Sequence, residues 1–406
     1  MEKLLPNNPF EASRVVPVLE KLIQFSLFTF AAFSMFSISV TQIAFALGAL
    51  AWLLKTHLTK SWEELRGTLV GPAILCFCLA CVLSIMTSVD LGSSLKILKK
   101  NLQFVIIFWV ANSIQDEKQR DLLIKLIIVA GVATALNGLL PLLDPDSFSP
   151  ERLYGQIRPI GTMSIPATFS GILMIVGLVI LGRLLFHQPK EYWVLASMGV
   201  VGLCLLLSMT RQVWLGFFIG TIFLTCFWNK KYLLLFPLLF VSLLIFSPEN
   251  IKTRLHSFTN FEDSALQARA SLWKGGWEIF KDHPITGCGF KCVDSIHSQY
   301  SDPSGWVAHY RGMHSNVFQL LVDTGIVGLG TWLSIWVAYL IEIIKRWRER
   351  SQDNAKGILM GSSAAVLGFL VGGFFETNIY DSEVAMLLYF LMGLSLTKTK
   401  KFSTAE

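Results

Sequence analysis

Charge is what this chain most lacks. Asp, Glu, Lys and Arg make up 15% of its 406 residues, against about a quarter in an average soluble protein. That scarcity excludes disorder and coiled coil, because both need a heavily charged surface. Cysteine is rare, with seven residues, which excludes a small disulfide scaffold. Pro and Gly show no repeat period, which excludes collagen and low-complexity linkers. No paired CxxC and no HExxH is present, and neither metal nor cofactor is expected. What fills the chain instead is apolar: 53% hydrophobic, 12% aromatic, with mean hydropathy +0.56. Two soluble domains fit the length but not the hydropathy. The class left is an all-α polytopic membrane protein.

A bilayer crossing takes about 20 mostly apolar residues. About twelve runs qualify: 22–39, 40–54, 69–87, 101–115, 122–143, 162–182, 192–210, 213–228, 232–247, 315–344, 357–375 and 383–397. The runs are continuous rather than alternating, so helices are expected, not a barrel. The second is short, and is tilted or paired with the first as a hairpin. The tenth is long and runs on past the membrane. The net charge is +6, and its placement matters more than its size. With a cytoplasmic N-terminus, Lys21, Lys55, Lys60, Lys118, Arg120, Lys230, Lys231, Lys345, Arg346 and the C-terminal Lys398, Lys400 and Lys401 all fall inside. Both termini are therefore expected in the cytoplasm. Glu2, Glu11 and Glu20 ahead of a full-length apolar run argue against a cleavable signal peptide. Nothing points to nucleic acid.

The chain then divides into residues 1–247 with nine spans, a loop domain 248–314 on the outer side, and 315–406 with three spans and a tail. Cys76, Cys78, Cys81, Cys204 and Cys226 lie in spans and read as small core residues. Cys288 and Cys292 lie in the loop, at a spacing that permits a local disulfide.

A long loop in a compact chain is usually functional, and this one holds five of the seven histidines: His256, His283, His297, His309 and His314. Residues 265–280 read as an amphipathic helix capped by Asp263 and Ser264. Arg269, Trp273, Gly276, Trp277 and Phe280 share one side of it. The aromatics suit packing, but a cation on the apolar side calls for an anion. The stretch KDHPITGCGF (281–290) reads as a turn, with His283 structural. His314 falls where the loop enters the tenth span, and a helix start carries a partial positive charge that suits both a neutral base and a phosphate. Asn316 and Asp323 follow on the same helix, with Gly325 and Gly328 allowing close helix contact.

Arg211 sits between two spans with almost no loop, so it either snorkels or is paired. Arg158 lies just before the sixth span. Lys96, Lys99 and Lys100 break the charge rule on the outer side, facing anionic headgroups or an anionic substrate. Glu376, Asp381 and Glu383 either bind hydroxyls or solvate a loop, the second being the plainer reading. Several cations and one histidine at one membrane face suit a lipid-anchored substrate with a phosphate leaving group. A transporter fits less well, because the spans carry almost no charge at mid-membrane.

The segments TRQVWLG, RASLWKGGWEIFKDHPITGCGF and MHSNVFQLLVDTGIVGLG, with RPIGTMSIPATFSG before them, resemble the O-antigen ligase and O-antigen polymerase superfamily. The resemblance is clearest over about 150–330. It implies a GT-C-like, metal-independent, inverting glycosyltransferase of the bacterial inner membrane. It further implies an undecaprenyl-pyrophosphate-linked glycan as donor and, in the ligases, lipid A–core as acceptor. By motif, Arg211 and Arg269 would grip the pyrophosphate, with Arg158 beside them, and His314 would deprotonate the acceptor. Lys100, Trp273 and Asn316 would be further substrate contacts. One large outer loop favours ligase over polymerase.

Overall fold

The computed structural model describes residues 9–62, 68–143, 152–153, 156–163, 165–257, 263–349 and 353–397. The basic residues Lys398, Lys400 and Lys401, expected in the cytoplasm, lie outside these. The chain begins with a helical hairpin, α1 (Pro9–Phe33) and α2 (Ile38–Thr59). The break between them falls several residues earlier than expected. Nothing in the hydropathy marks it; Ser37 does, taking the Val40 N–H as N-cap of α2. Then come α3 (Val70–Met86), α4 (Leu91–Leu98), a 3-10 turn over Lys99–Phe104, α5 (Val105–Ser113) and α6 (Glu117–Leu143). A two-residue antiparallel pair, β1 (Arg152–Leu153) and β2 (Gln156–Ile157), is a small exception to an all-helical reading. Helices α7 (Pro166–Phe186), α8 (Tyr192–Leu207), α9 (Arg211–Trp228) and α10 (Leu235–Phe246) follow.

The loop domain contains α11 (Glu249–His256), α12 (Ser264–Asp282), α13 (Val293–Ile296) and α14 (Trp306–Tyr310). The chain closes with α15 (Asn316–Glu349), α16 (Asp353–Gly373) and α17 (Ser382–Leu396).

Seven of these helices are long and apolar enough to cross a membrane, and α3, α8 and α17 are shorter apolar helices. The expected fourth and ninth spans are each broken by a 3-10 turn, at Lys99–Phe104 and Lys230–Leu234, which leaves α5 and α10 short. The architecture is that of a polytopic helical membrane protein. Its centre is α7, packed against α16, α9, α8 and α17. Glycine allows the closest approaches: a side chain on Gly182 would collide with the backbone of Gly361. The outer helices show leucines such as Leu75 and Leu79 on their free faces, as a lipid-facing surface does. Cys76 is exposed there too, so of the span cysteines only Cys81 and Cys204 are true core residues.

The loop domain has its own small core of Leu272, Ile279, Val293, Ile296, Val307, Met313 and Val322, with Cys288 and Cys292 joined in it as a disulfide. It is also threaded into the bundle. Helix α15 is broken at Gly325, whose φ is +63°. The stretch 284–289 fills the break. Ile326 and Val327 donate their N–H groups to Pro284 and Ile285 carbonyls, while Cys288 and Gly289 donate to Val322 and Asp323 carbonyls. A stretch expected to be a surface turn is thus a strap that completes a broken helix. The Asp323 carboxylate is fully buried beside it, taking bonds from Gln319 and Tyr380. Asp323 is thus a buried acidic exception to the expectation of nearly charge-free spans. The strap occupies the break and satisfies the freed backbone groups.

Candidate active site at one end of the bundle

The tight turn joining α8 to α9 is the first element of the site. Met209 takes a left-handed conformation there, φ +52°, which turns three consecutive polar groups toward arginines. Arg158 donates to the Ser208 carbonyl at 3.0 Å and to Thr210 Oγ1 at 3.1 Å. Arg254 donates to the Met209 carbonyl at 2.9 Å. Arg211 opens α9 and is 6% exposed, so it does not snorkel. It points inward, to Ser257 (carbonyl 2.8 Å, Oγ 2.9 Å) and to Asp263 Oδ1 at 2.9 Å.

Asp263 links this turn to the loop domain. The oxygen that holds Arg211 also caps α12, accepting from the N–H groups of Ala265 and Leu266. Burial acts to raise the pKa of Asp263; the Arg211 contact outweighs it and holds the carboxyl below the usual carboxylate range. Further along α12 stands Arg269, half-buried, with Nε donating to the Phe375 carbonyl at 3.0 Å. Burial pushes its pKa down, Glu376 works in the opposite direction, and the charge of Arg211 adds to the burial effect. Two guanidinium groups therefore stand within electrostatic reach of one another. The sequence called for an anion near Arg269, and the charge it meets is Glu376.

One turn further, Trp273 stacks on Phe318 at 5.1 Å and donates its indole N–H to the Met313 carbonyl at 3.0 Å. This fixes the residue before His314. His314 itself has φ +44°, and its Nδ1 lies 2.9 Å from Glu376 Oε1. Burial acts to raise the Glu376 pKa, but the bond and charge of His314, with the Thr377 N–H and Arg269, bring it below the usual range. An ionised Glu376 makes Nδ1 the donor, which leaves Nε2 as the basic nitrogen. Segments 313–316 and 375–379 run side by side. Ser315 N–H donates to Thr377 Oγ1, the Asn316 amide donates to Asn378, and Ile379 N–H donates to Asn316 Oδ1.

The structure therefore brings Arg158, Arg211, Arg269 and His314 to one end of the bundle. Asn316 is 1% exposed and spent on these backbone and amide bonds, and Trp273 is spent on holding the 313–314 segment. Lys100 is at the same end, donating to the Tyr380 carbonyl. Glu376, read as a loop solvator, is instead the partner of the histidine. Asp381 is no solvator either; it accepts from Thr168 and caps α17. Arg254 was not singled out, since a lone arginine in a polar stretch carries no signal of its own.

These features define a class: a polytopic helical membrane protein with one buried arginine and half-buried ones at the same end as a histidine–carboxylate pair. Residues 196–333 match the family model described as O-antigen ligase, a stretch that contains Arg211, Arg254, Arg269 and His314. The chain is also 26% identical over 152 residues to the exopolysaccharide production protein ExoQ of Rhizobium meliloti (strain 1021), covering 35% of this chain and 34% of that protein. It thus spans about a third of the length of that relative. These matches support a likeness to the O-antigen ligase and polymerase superfamily, the family model over residues 196–333.

Proposed function

We propose that this protein is a membrane-embedded glycosyltransferase of the O-antigen ligase type. It moves a polysaccharide from undecaprenyl pyrophosphate to lipid A–core at the periplasmic face of the inner membrane, with both termini cytoplasmic. The observation that carries this reading is that Arg269 lies beside the His314–Glu376 pair, on a helix whose Asp263 cap holds Arg211.

Arginine meets phosphate oxygens in planar, bidentate fashion. Donor binding exchanges Asp263 and the Phe375 carbonyl for diphosphate oxygens as partners of the two guanidinium groups. Arg158 stiffens the turn that carries Arg211. Nε2 of His314 takes the proton of the acceptor hydroxyl, whose oxygen bonds to the anomeric carbon. The bond from that carbon to the diphosphate breaks, and the electron pair leaves on phosphate oxygen, with inversion. The guanidinium charges stabilise the leaving group as its charge grows. Lys100 is a further cation at this end for substrate contact.

Arg211→Ala and Arg269→Ala should each lower transfer by about 100-fold or more, with the protein still in the membrane fraction. Normal surface glycan in either variant would remove that residue from the mechanism. The relative's printed role in exopolysaccharide production favours polymerisation as the second reading. Deleting the gene and resolving lipopolysaccharide on gels separates the two. Full-length lipid-linked polymer accumulates if a ligase is lost, single repeats if a polymerase is lost.

A further inference from the structure

Helix α14 is short, and it presents aromatic rings to the outside. Gly305 (φ +70°) leads into it and Arg311 (φ +52°) leads out, so two left-handed residues isolate it from its neighbours. Asp302 caps it through the Ala308 N–H at 3.1 Å. Val307 anchors it in the loop-domain core, 3% exposed, against Gly275, where a side chain would collide with the valine. Trp306, His309 and Tyr310 are neighbours at i, i+3 and i+4; Trp306 is half-buried against the core, and His309 and Tyr310 are exposed. Their rings form a ladder. Trp306 and Tyr310 stack at 5.6 Å and 19°, and His309 meets Tyr310 edge-on at 4.7 Å. Tyr310 in turn meets the His314 ring edge-on at 5.1 Å. Tyr310 is 46% exposed and stands within electrostatic reach of Arg269.

Trp306 packs partly against the same core as Val307, but that core does not account for the exposed ring of Tyr310. Exposed aromatics also gather at membrane interfaces, but an interfacial belt has no reason to end on the one basic imidazole of the site. A pyranose has a face of C–H groups that lies flat on an aromatic ring, with its hydroxyls left at the rim. The diphosphate side of the site belongs to Arg211 and Arg269. The ladder ends in contact with the His314 ring, the group that would take the proton of the attacking hydroxyl.

We propose that Trp306 and Tyr310 form a saccharide platform that seats the acceptor sugar and delivers its hydroxyl to His314. This rests on the transferase reading for its direction, acceptor rather than donor. The rings act by binding and take no part in proton transfer.

The test uses the full-length protein in nanodiscs, titrating acceptor and donor separately. Tyr310→Ala and Trp306→Ala should raise the acceptor KM tenfold or more and leave the donor KM within twofold. Tyr310→Phe keeps the ring and should restore the acceptor KM. Saturation-transfer NMR on the His314→Ala protein should show contact with the oligosaccharide released by mild acid from the host's lipid A–core, and lose it when Tyr310→Ala is added. Unchanged acceptor KM in both alanine variants overturns the platform while transfer itself stands. A fall in kcat with both KM values unchanged also overturns it, because the rings would then be packing for His314. If the wild-type protein binds the oligosaccharide through Tyr310 yet transfers no glycan, the platform stands and the transferase reading fails.

Discussion

The ring of His314 is oriented by a carboxylate 62 positions further along the chain. Without Glu376, the imidazole keeps its place before α15 but loses the acceptor that fixes which nitrogen carries the proton. His314→Ala should abolish transfer and leave donor binding intact; a collapse of donor affinity would make His314 a phosphate ligand instead. Glu376→Gln should slow transfer by about tenfold or more without changing donor KM, and an unchanged kcat would remove Glu376 from the mechanism.

The same pair has a consequence for pH. The folded pKa of Glu376 is depressed, so its stabilising contribution is complete above the ordinary carboxyl range, about pH 4.3, and is lost as pH falls through the folded value. Melting temperature in detergent should hold from pH 8 to 5 and decline below about pH 4, with a smaller decline in Glu376→Gln. An equal decline in the variant would break the link. That Arg211, Arg269 and His314 fall at one end of the bundle was legible in sequence, because each lies at a span end or in the long loop. Glu376 was not, because an acidic residue after a span reads as solvated until its partner is known.

At the scale of elements, the break in α15 and the strap that fills it carry the most strain-sensitive geometry. Gly325 has φ +63° and Gly287 φ +70°, and each lies against the backbone of the other segment. A side chain at either position costs about 1–2 kcal/mol for the left-handed conformation alone, and also pushes the strap away. Gly325→Ala should lower the melting temperature and expose 284–289 to faster amide exchange. A variant with wild-type exchange in that stretch would show the strap to be dispensable. The sequence marked α12 and its Asp263 cap within two residues at each end, since caps and amphipathic spacing are local signals. It read the strap as a turn, because glycine shows where the backbone bends but not what runs beside it.

Over the whole molecule, a buried α7 and α16 hold the helices while the loop domain clamps one end. Charge pairs close the other end: Arg183 joins Asp121 and Glu191, each at 2.6 Å. The arginines of the site are expected to do what a divalent cation does in many other glycosyl transfers, so transfer should survive EDTA at near wild-type rate; loss restored by adding Mg²⁺ or Mn²⁺ would refute this. Composition alone determined that the chain is a helical membrane protein with one sizeable loop domain, because burial in hydrocarbon is an additive property of successive residues. Only the tertiary structure decided where helices break, that Asp263 joins Arg211 to the α12 cap, and that Glu376 meets His314. Those depend on contacts between distant segments, and a distance in space leaves no periodicity in a single sequence.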